Sequence, residues 1–522
     1  MLAGDGLTGD RAEAIARAYA LIEAAQGELS PAQVQDAAAR IGEPDWWDVQ
    51  VLLHFARSLA VRDAGGDDAE HVRTMLDVAT ALDDPALLAL ALAAGAARRV
   101  GAQRPLELSE SAASPLVRAA VLLDEEGGPV VHRAAALIEV ACVAHALGFW
   151  ELALEHYDRT HKALDEDEDP RWRTTTHRQR TVLAVNRIEL LLDWACAEAM
   201  IGDWAAAATR AAAALPGSRD VVAPDWPPSW IRQYDGHLHL LSALAGRPPG
   251  DAGVEPAVEA LGAAITAARA ADPGGAAALA LGVADRFGQT IPLHTWLLSL
   301  QIEARQSEAL QGGSRRPGAP GRFADELVRL RWNDRLVRMS SMRDAIAVAR
   351  HRREHDQLRR EIITDHLTGL ANRRGYQAYL SALLDTGQPA EPSDYAAMMI
   401  DVDHFKQVND RFGHDVGDRV LAAIAGILSA NVRPMDLAAR LGGDEFVVIL
   451  AQVHPGVSEA RARAILEAVR DHPWYELAGG LTVSISVGLH HGGREELPTL
   501  LGDADRHLYR AKNEGRGRVT TG

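Results

Sequence analysis

The sequence predicts a multidomain protein: an all-α, helical-repeat-like N-terminal domain, a long coiled-coil-type linker helix and a C-terminal α+β domain. Three observations carry this. Residues 1 to about 300 are rich in Ala and Leu at helical spacing with few β-branched runs; the Gly/Pro/Ser/Arg stretch QGGSRRPGAPGR then interrupts the pattern; and from about residue 364 strand-like apolar runs alternate with helical ones. At 522 residues the chain exceeds one ordinary core. The expected division is 1–310, helical and sensory or interacting; 311–322, a flexible linker; 323–363, a signalling helix; and 364–522, the α+β domain.

Composition narrows the function. The chain has no apolar run near the ~18 residues that would span a bilayer and no secretion-type start, so a soluble cytoplasmic protein with no membrane contact is expected. Two cysteines exclude a disulfide scaffold. A net charge of −18 argues against a nucleic-acid binder. Basic residues number 54, yet lysine occurs only at Lys162, Lys406 and Lys512. A compact ammonium is often used beside phosphate, and residual codon bias is the bland alternative.

In the N-terminal region an echo stands out. ACVAHALGFWELA (141–153) and ACAEAMIGDWAAA (195–207) share A-C, five residues, then G-x-W-x-x-A. Each predicts a helix stopped by glycine and a second helix whose Trp150 or Trp204 and Ala153 or Ala207 pack on the first. The unit resembles a tetratricopeptide-type hairpin at longer separation, with DEDEDPRWRTTTHRQ as an insertion. Cys142 and Cys196 then hold equivalent buried positions, which points to packing. Such a domain suits a protein or peptide partner, or a small ligand.

The segment 323–363 carries Leu336, Met339, Met342, Ile346 and Ala349 at steps of three and four, then Leu358 and Ile362. This spacing predicts one helix able to pair with its copy, a homodimer through the 323–363 helix. HRREH (351–355) inside it matches an H-x-x-E-H zinc pattern, but a solvated charged face is the preferred reading.

The last 160 or so residues read in order as strand YAAMMIDVD (395–403), helix GDRVLAAIAGILSANV (417–432), hairpin RLGGDEFVVIL (440–450), helix SEARARAILEAVRDH (458–472) capped by Ser458, strand LTVSISVGL (481–489) and a closing helix from Pro498 to Glu514. The order β-α-β-β-α-β predicts a split-βαβ sheet with helices on one side. Asp401 and Asp403 end the first strand, while Asp444 and Glu445 follow a Gly-Gly turn that admits close approach to bare backbone at Gly443. Neighbouring strand ends gathering hard oxygens suit Mg²⁺, or Mn²⁺, on a substrate phosphate.

Taken with DHLTGLANRR (365–374), DVDHFKQVND (401–410), FGHDVGD (412–418) and LYRAKNEGRGRV (508–519), the RLGGDEF stretch resembles the GGDEF domain, a palm- or ferredoxin-like fold whose members are diguanylate cyclases condensing two GTP into cyclic di-GMP. The resemblance covers about residues 360–520. It implies that Asp401, the Val402 carbonyl and Asp444 hold the metal; that Asn409 and Asp418 read guanine; that Lys406, Lys512 and Arg516 meet the phosphates; and that Glu445 activates the ribose 3′-hydroxyl or binds a second metal. It further implies that Arg433 and Asp436, in R-x-x-D, form an inhibitory site for the product. Two other readings stand beside an active cyclase: a receptor for GTP or cyclic di-GMP, whose fold would persist without catalysis, and a scaffold working through its repeat-like domain. Formation of cyclic dinucleotide from GTP and Mg²⁺ separates the first two.

Overall fold

The computed structural model describes residues 9–522 apart from 27–28, 42, 44, 103–109, 126, 217–221, 223–225, 249–252, 271, 273–278, 280–292, 311–318 and 386–394. The chain divides into two compact units, Met1–Arg350 and His351–Gly522. No helix among the described residues is long and apolar enough to cross a membrane.

Among the described residues every regular element of the N-terminal unit is a helix. The sequence echo is a structural one. Helix Val130–Ala146 turns at Gly148 (φ +77°) into helix Trp150–Asp165, and Arg173–Met200 turns at Gly202 (φ +91°) into Trp204–Ala214. Both corners close with the same backbone pair: Gly148 N–H to His145 and Phe149 N–H to Ala144, Gly202 N–H to Ala199 and Asp203 N–H to Glu198, at 2.8–3.0 Å. A side chain resists the left-handed conformation that these bonds demand, so glycine sits at both. Trp150, Ala153 and Ala207 are buried, and Trp204 is half-buried. The expected insertion is mostly helical: only 166–169 separates Trp150–Asp165 from the short Pro170–Trp172 turn that leads into Arg173–Met200. Neither thiol is paired with cysteine; Cys196 is buried as expected but Cys142 is only half-buried by surface exposure, and desolvation pushes both thiols up, Cys142 to about 12.

The long helix runs Ala319–Ile363. It begins four residues before its expected start and takes in 319–322 of the expected linker, whose remaining residues 311–318 lie outside the described set. Its apolar stripe requires a correction. Met339, Met342 and Ile346 are buried in the N-terminal unit's own core, with Val328, Trp332 and Ala349 half-buried against it, so the middle of the expected pairing face is covered within the chain. Periodicity identifies an apolar face without saying what covers it. Arg335 fixes this packing. Its guanidinium lies 4.6 Å from the ring centres of both Trp150 and Trp332, donates to Glu151 at 2.7 and 3.0 Å and to the Gly148 carbonyl at 3.1 Å. Fifteen residues on, Arg350 pairs with Asp124 at 2.7 Å.

The C-terminal unit holds a five-stranded sheet of order β2-β3-β1-β4-β5: β1 Tyr395–Val402, β2 Leu437–Gly442, β3 Glu445–Ala451, β4 Ile485–Gly492 and β5 Val519–Thr521. The first four are antiparallel, as the split-βαβ order requires; β5, which the sequence did not announce, runs parallel to β4. Helices cover both faces rather than one. Met398 and Ile400 pack with Val420, Ile424 and Ile465, while Ala397 and Met399 pack with Tyr376, Leu500 and Leu508. The reason is legible in β1, which is buried along its whole length and apolar on both sides. Ser458 is not a cap: its helix starts at Pro455, and its hydroxyl bonds back to the Pro455 carbonyl. HRREH is on an exposed face, and no three potential ligands cluster among the described residues.

The closing helix, Leu497–Asn513, meets the sheet at Gly488, where a Cβ would fall 2.1 Å from both the Ala504 carbonyl oxygen and the Leu508 nitrogen. Neither backbone atom can yield cheaply. Gly488→Ala should therefore cost about 3 kcal/mol or more, seen as a matching loss of hydrogen-exchange protection at the β4 amides; protection equal to that of the parent protein would contradict this packing.

Candidate active site

Register builds the site. In the antiparallel pairing of β1 with β3, Asp401 lies opposite Glu445, and the Val402 N–H donates to the Asp444 carbonyl at 3.3 Å. The Gly442-Gly443 turn that reverses the chain is at φ +147° and +55°, and the second value is one that glycine tolerates best. Arg440 stiffens it, donating to the Gly443 carbonyl at 3.0 and 2.8 Å and to Asp365 Oδ1 at 3.0 Å. Burial resists charging of Asp365, but hydrogen bonds from Thr368 and Arg440 outweigh it and hold its carboxyl below the usual range. The entrance motif DHLTGL thus grips the turn through Arg440, a link that sequence reasoning missed although an arginine in an otherwise apolar strand was the visible signal.

Asp401 is 7% exposed, and Lys512 from the closing helix places its Nζ 2.7 Å from Asp401 Oδ2. Burial pushes the Asp401 carboxyl up; Lys512 opposes this, and the Asp444 and Asp403 carboxylates reinforce it, leaving the group above its ordinary value. Ionising Asp401 therefore costs the folded state. The cost is absent below the ordinary carboxylate range, grows as pH rises from that range toward the raised value and is complete above it. Asp403 serves another purpose. Its oxygens accept from Ser484 and Ser486 hydroxyls at 2.7 Å and from the Gly517 N–H at 3.0 Å, tying the loop after the closing helix to β4.

Asn409 and Asp418 lie on a separate pair of helices, Phe405–Phe412 and His414–Ala430. The Asn409 Oδ1 is buried and has no hydrogen-bond partner. It fits only because residue 417 is glycine: a Cβ there would lie 1.9 Å from that oxygen. Gly417 was not singled out from sequence, though it stands in FGHDVGD. Asp418 and Lys406 are exposed, and Arg516, at φ +62°, is exposed in the turn beyond Lys512. Arg433 and Asp436 sit at the other end of β3 from Glu445, about 20 Å along the strand. Asp436 accepts from the Arg433 N–H at 2.9 Å and the Ala451 N–H at 3.1 Å, so its carboxylate holds the turn backbone; no ion pair to the Arg433 guanidinium occurs among the described residues.

The donor set suits a small hard cation. Two carboxylates and a carbonyl from adjacent strand ends are the few protein oxygens that Mg²⁺ usually takes, and the Lys512 group beside Asp401 Oδ2 is itself cationic.

Residues 362–518 match the family described as diguanylate cyclase, GGDEF domain. The response regulator PleD of Caulobacter vibrioides is 40% identical over 169 residues, 30% of this chain and 35% of PleD. Diguanylate cyclase DgcM of Escherichia coli is 38% identical over 178 residues, 33% of this chain and 41% of DgcM. The chain thus spans well under half of these relatives. The coiled coil and GGDEF domain of DgcB from Caulobacter crescentus, solved in complex with c-di-GMP, is similar at 29% identity over 35% of this chain and 98% of that one, with a TM-score of 0.31. The C-terminal unit carries a GGDEF domain.

Lys512→Met should move the Asp401 titration, followed by carboxyl-carbon NMR, further above the ordinary range. A downward or absent shift would mean that Lys512 does not stabilise the ionised carboxylate.

Proposed function

We propose that the chain is a cytoplasmic diguanylate cyclase that joins two GTP into cyclic di-GMP and is regulated through its N-terminal unit. The observation that carries this reading is the convergence of Asp401, Asp444, Glu445 and Lys512 at one end of the GGDEF sheet. Asp401, Asp444 and the Val402 carbonyl would hold Mg²⁺ or Mn²⁺, which supplies charge neutralisation for the triphosphate. Lys406, Lys512 and Arg516 bind phosphate oxygens, and bare backbone at Gly443 allows their close approach. Asn409, in the space left by Gly417, and Asp418 read the guanine edge; a carboxylate accepting from N1–H and N2–H discriminates against adenine. Glu445 takes the 3′-hydroxyl proton as that oxygen bonds to the α-phosphorus of the other GTP; the α–β anhydride bond breaks and pyrophosphate leaves.

One such site holds one GTP, so two copies must face each other. The long helix supports this through a face other than the one covered within the chain. Phe323, Leu330, Val337 and Leu358 fall on d positions, and Leu327, Val348 and Ile362 on a positions, of a single heptad register, and all seven are exposed. Asp334, Ser341, Asp344, His351 and His355 take the other places. So many polar residues in a seam weaken pairing and favour a reversible homodimer. The receptor reading has less support, because no residue of the motif is missing. Arg433 and Asp436 are proposed to bind the product as an inhibitor.

Purified protein with GTP and Mg²⁺ should form cyclic di-GMP and pyrophosphate, with Asp444→Ala lowering kcat by about 100-fold or more; GTP binding without product would favour the receptor reading. Specific activity should rise with protein concentration, and Val337→Glu should shift that rise to higher concentration, whereas superimposable curves would exclude this helix face. Arg433→Ala should leave initial rates intact and relieve inhibition by added cyclic di-GMP; inhibition as strong as in the parent would remove the product site from the account.

A further inference from the structure

The N-terminal unit contains a cavity of about 570 Å³, within the range of small-molecule sites. Its walls are the Gly148 corner, the end of helix Arg173–Met200, one side of helix Leu293–Leu310 and the first turns of the long helix. Most of the lining is apolar, with Met200, Leu297 and Val328 prominent, and Leu293 and Leu300 leave apolar surface exposed at its rim. The lining also holds polar groups, Gln301 among them, whose Nε2 donates to the Met200 carbonyl at 3.0 Å. Trp150 Nε1 and Arg335 Nε are buried donors without a hydrogen-bond partner, in residues 2% and 5% exposed. Arg331 is exposed on the lining and has no ion-pair partner among the described residues. The acidic lining residue, Asp325, is already partnered, and His294 is paired with Asp193 at 3.3 Å. A buried N–H left without an acceptor is costly, so a complementary occupant brings an acceptor to this end of an otherwise apolar space.

We propose that this cavity binds an amphipathic monoanion: an apolar body of medium-chain size with a carboxylate or similar oxyanion that takes hydrogen bonds from Trp150 and Arg335 and the charge of Arg331. The occupant would touch the repeat-like helices and the long helix together, which gives the unit a chemically defined input. This inference does not depend on the nucleotide chemistry of the other unit, and its test reads no turnover.

Isothermal titration of the full chain with decanoate, decanol and decyltrimethylammonium supplies that test, each probe kept below its aggregation threshold. Decanoate should bind saturably at one per chain and at least ten-fold more tightly than decanol, and the ammonium should not bind. Arg331→Glu, at an exposed position, should weaken decanoate at least ten-fold and leave decanol unchanged. Ala324→Trp, which projects a large side chain from an exposed wall position, should abolish both. Absence of saturable decanoate binding, equal affinity for decanol, or decanoate binding that survives Ala324→Trp would overturn the proposal.

Discussion

The C-terminal unit is organised around like charge held at the ends of two interior strands. Antiparallel pairing sets Asp401 against Glu445, and the Val402–Asp444 backbone bond holds the glycine turn beside them. Carboxylates in a half-buried place repel, and burial weakens the screening that would relieve them. Such an arrangement persists only if the fold spends other interactions on it. Here these are the Lys512 ammonium, the Arg440 brace on the turn, and the hydrogen bonds that divert Asp403 to Ser484, Ser486 and Gly517. The arrangement trades stability for a focused negative site, as the proposed metal- and polyphosphate-dependent reaction would require.

The N-terminal unit works by different means. Among its described residues order comes from small-residue helix packing and from glycine corners that reverse the chain twice in the same way. Arg335 is the point where this packing meets the long helix. Enclosed by two indoles and neutralised by Glu151, it is a buried charge whose partners are all within one unit. The result is a helix with two apolar stripes. One is consumed by the unit that carries it, and the other, in heptad register, stays exposed.

Much of this was legible in the sequence. The acidic strand ends, the glycine turn and the late lysines could be read from residue types and spacing, because a buried-strand pattern interrupted by carboxylates has few structural explanations. The G-x-W-x-x-A echo likewise announced both corners. What escaped depended on partners distant in the chain. Arg440, Gly417 and Gly488 matter for what lies against them, namely Asp365, Asn409 and the Ala504–Leu508 backbone, and local pattern does not encode that. The long helix shows the same limit in another form: two apolar faces share its residues, and periodicity alone chose the face already occupied. Ser458 looked like a cap because Pro455, three residues earlier, is the better helix start.

The central claim is that Asp401 and Asp444 form one cation site serving a nucleoside triphosphate. Electron paramagnetic resonance of free Mn²⁺, titrated with full-length protein in the presence of a non-hydrolysable GTP analogue, tests it directly. The account predicts one tightly held Mn²⁺ per chain that is lost in the Asp401→Asn, Asp444→Asn double variant; retention of that ion at unchanged affinity in the double variant would contradict it.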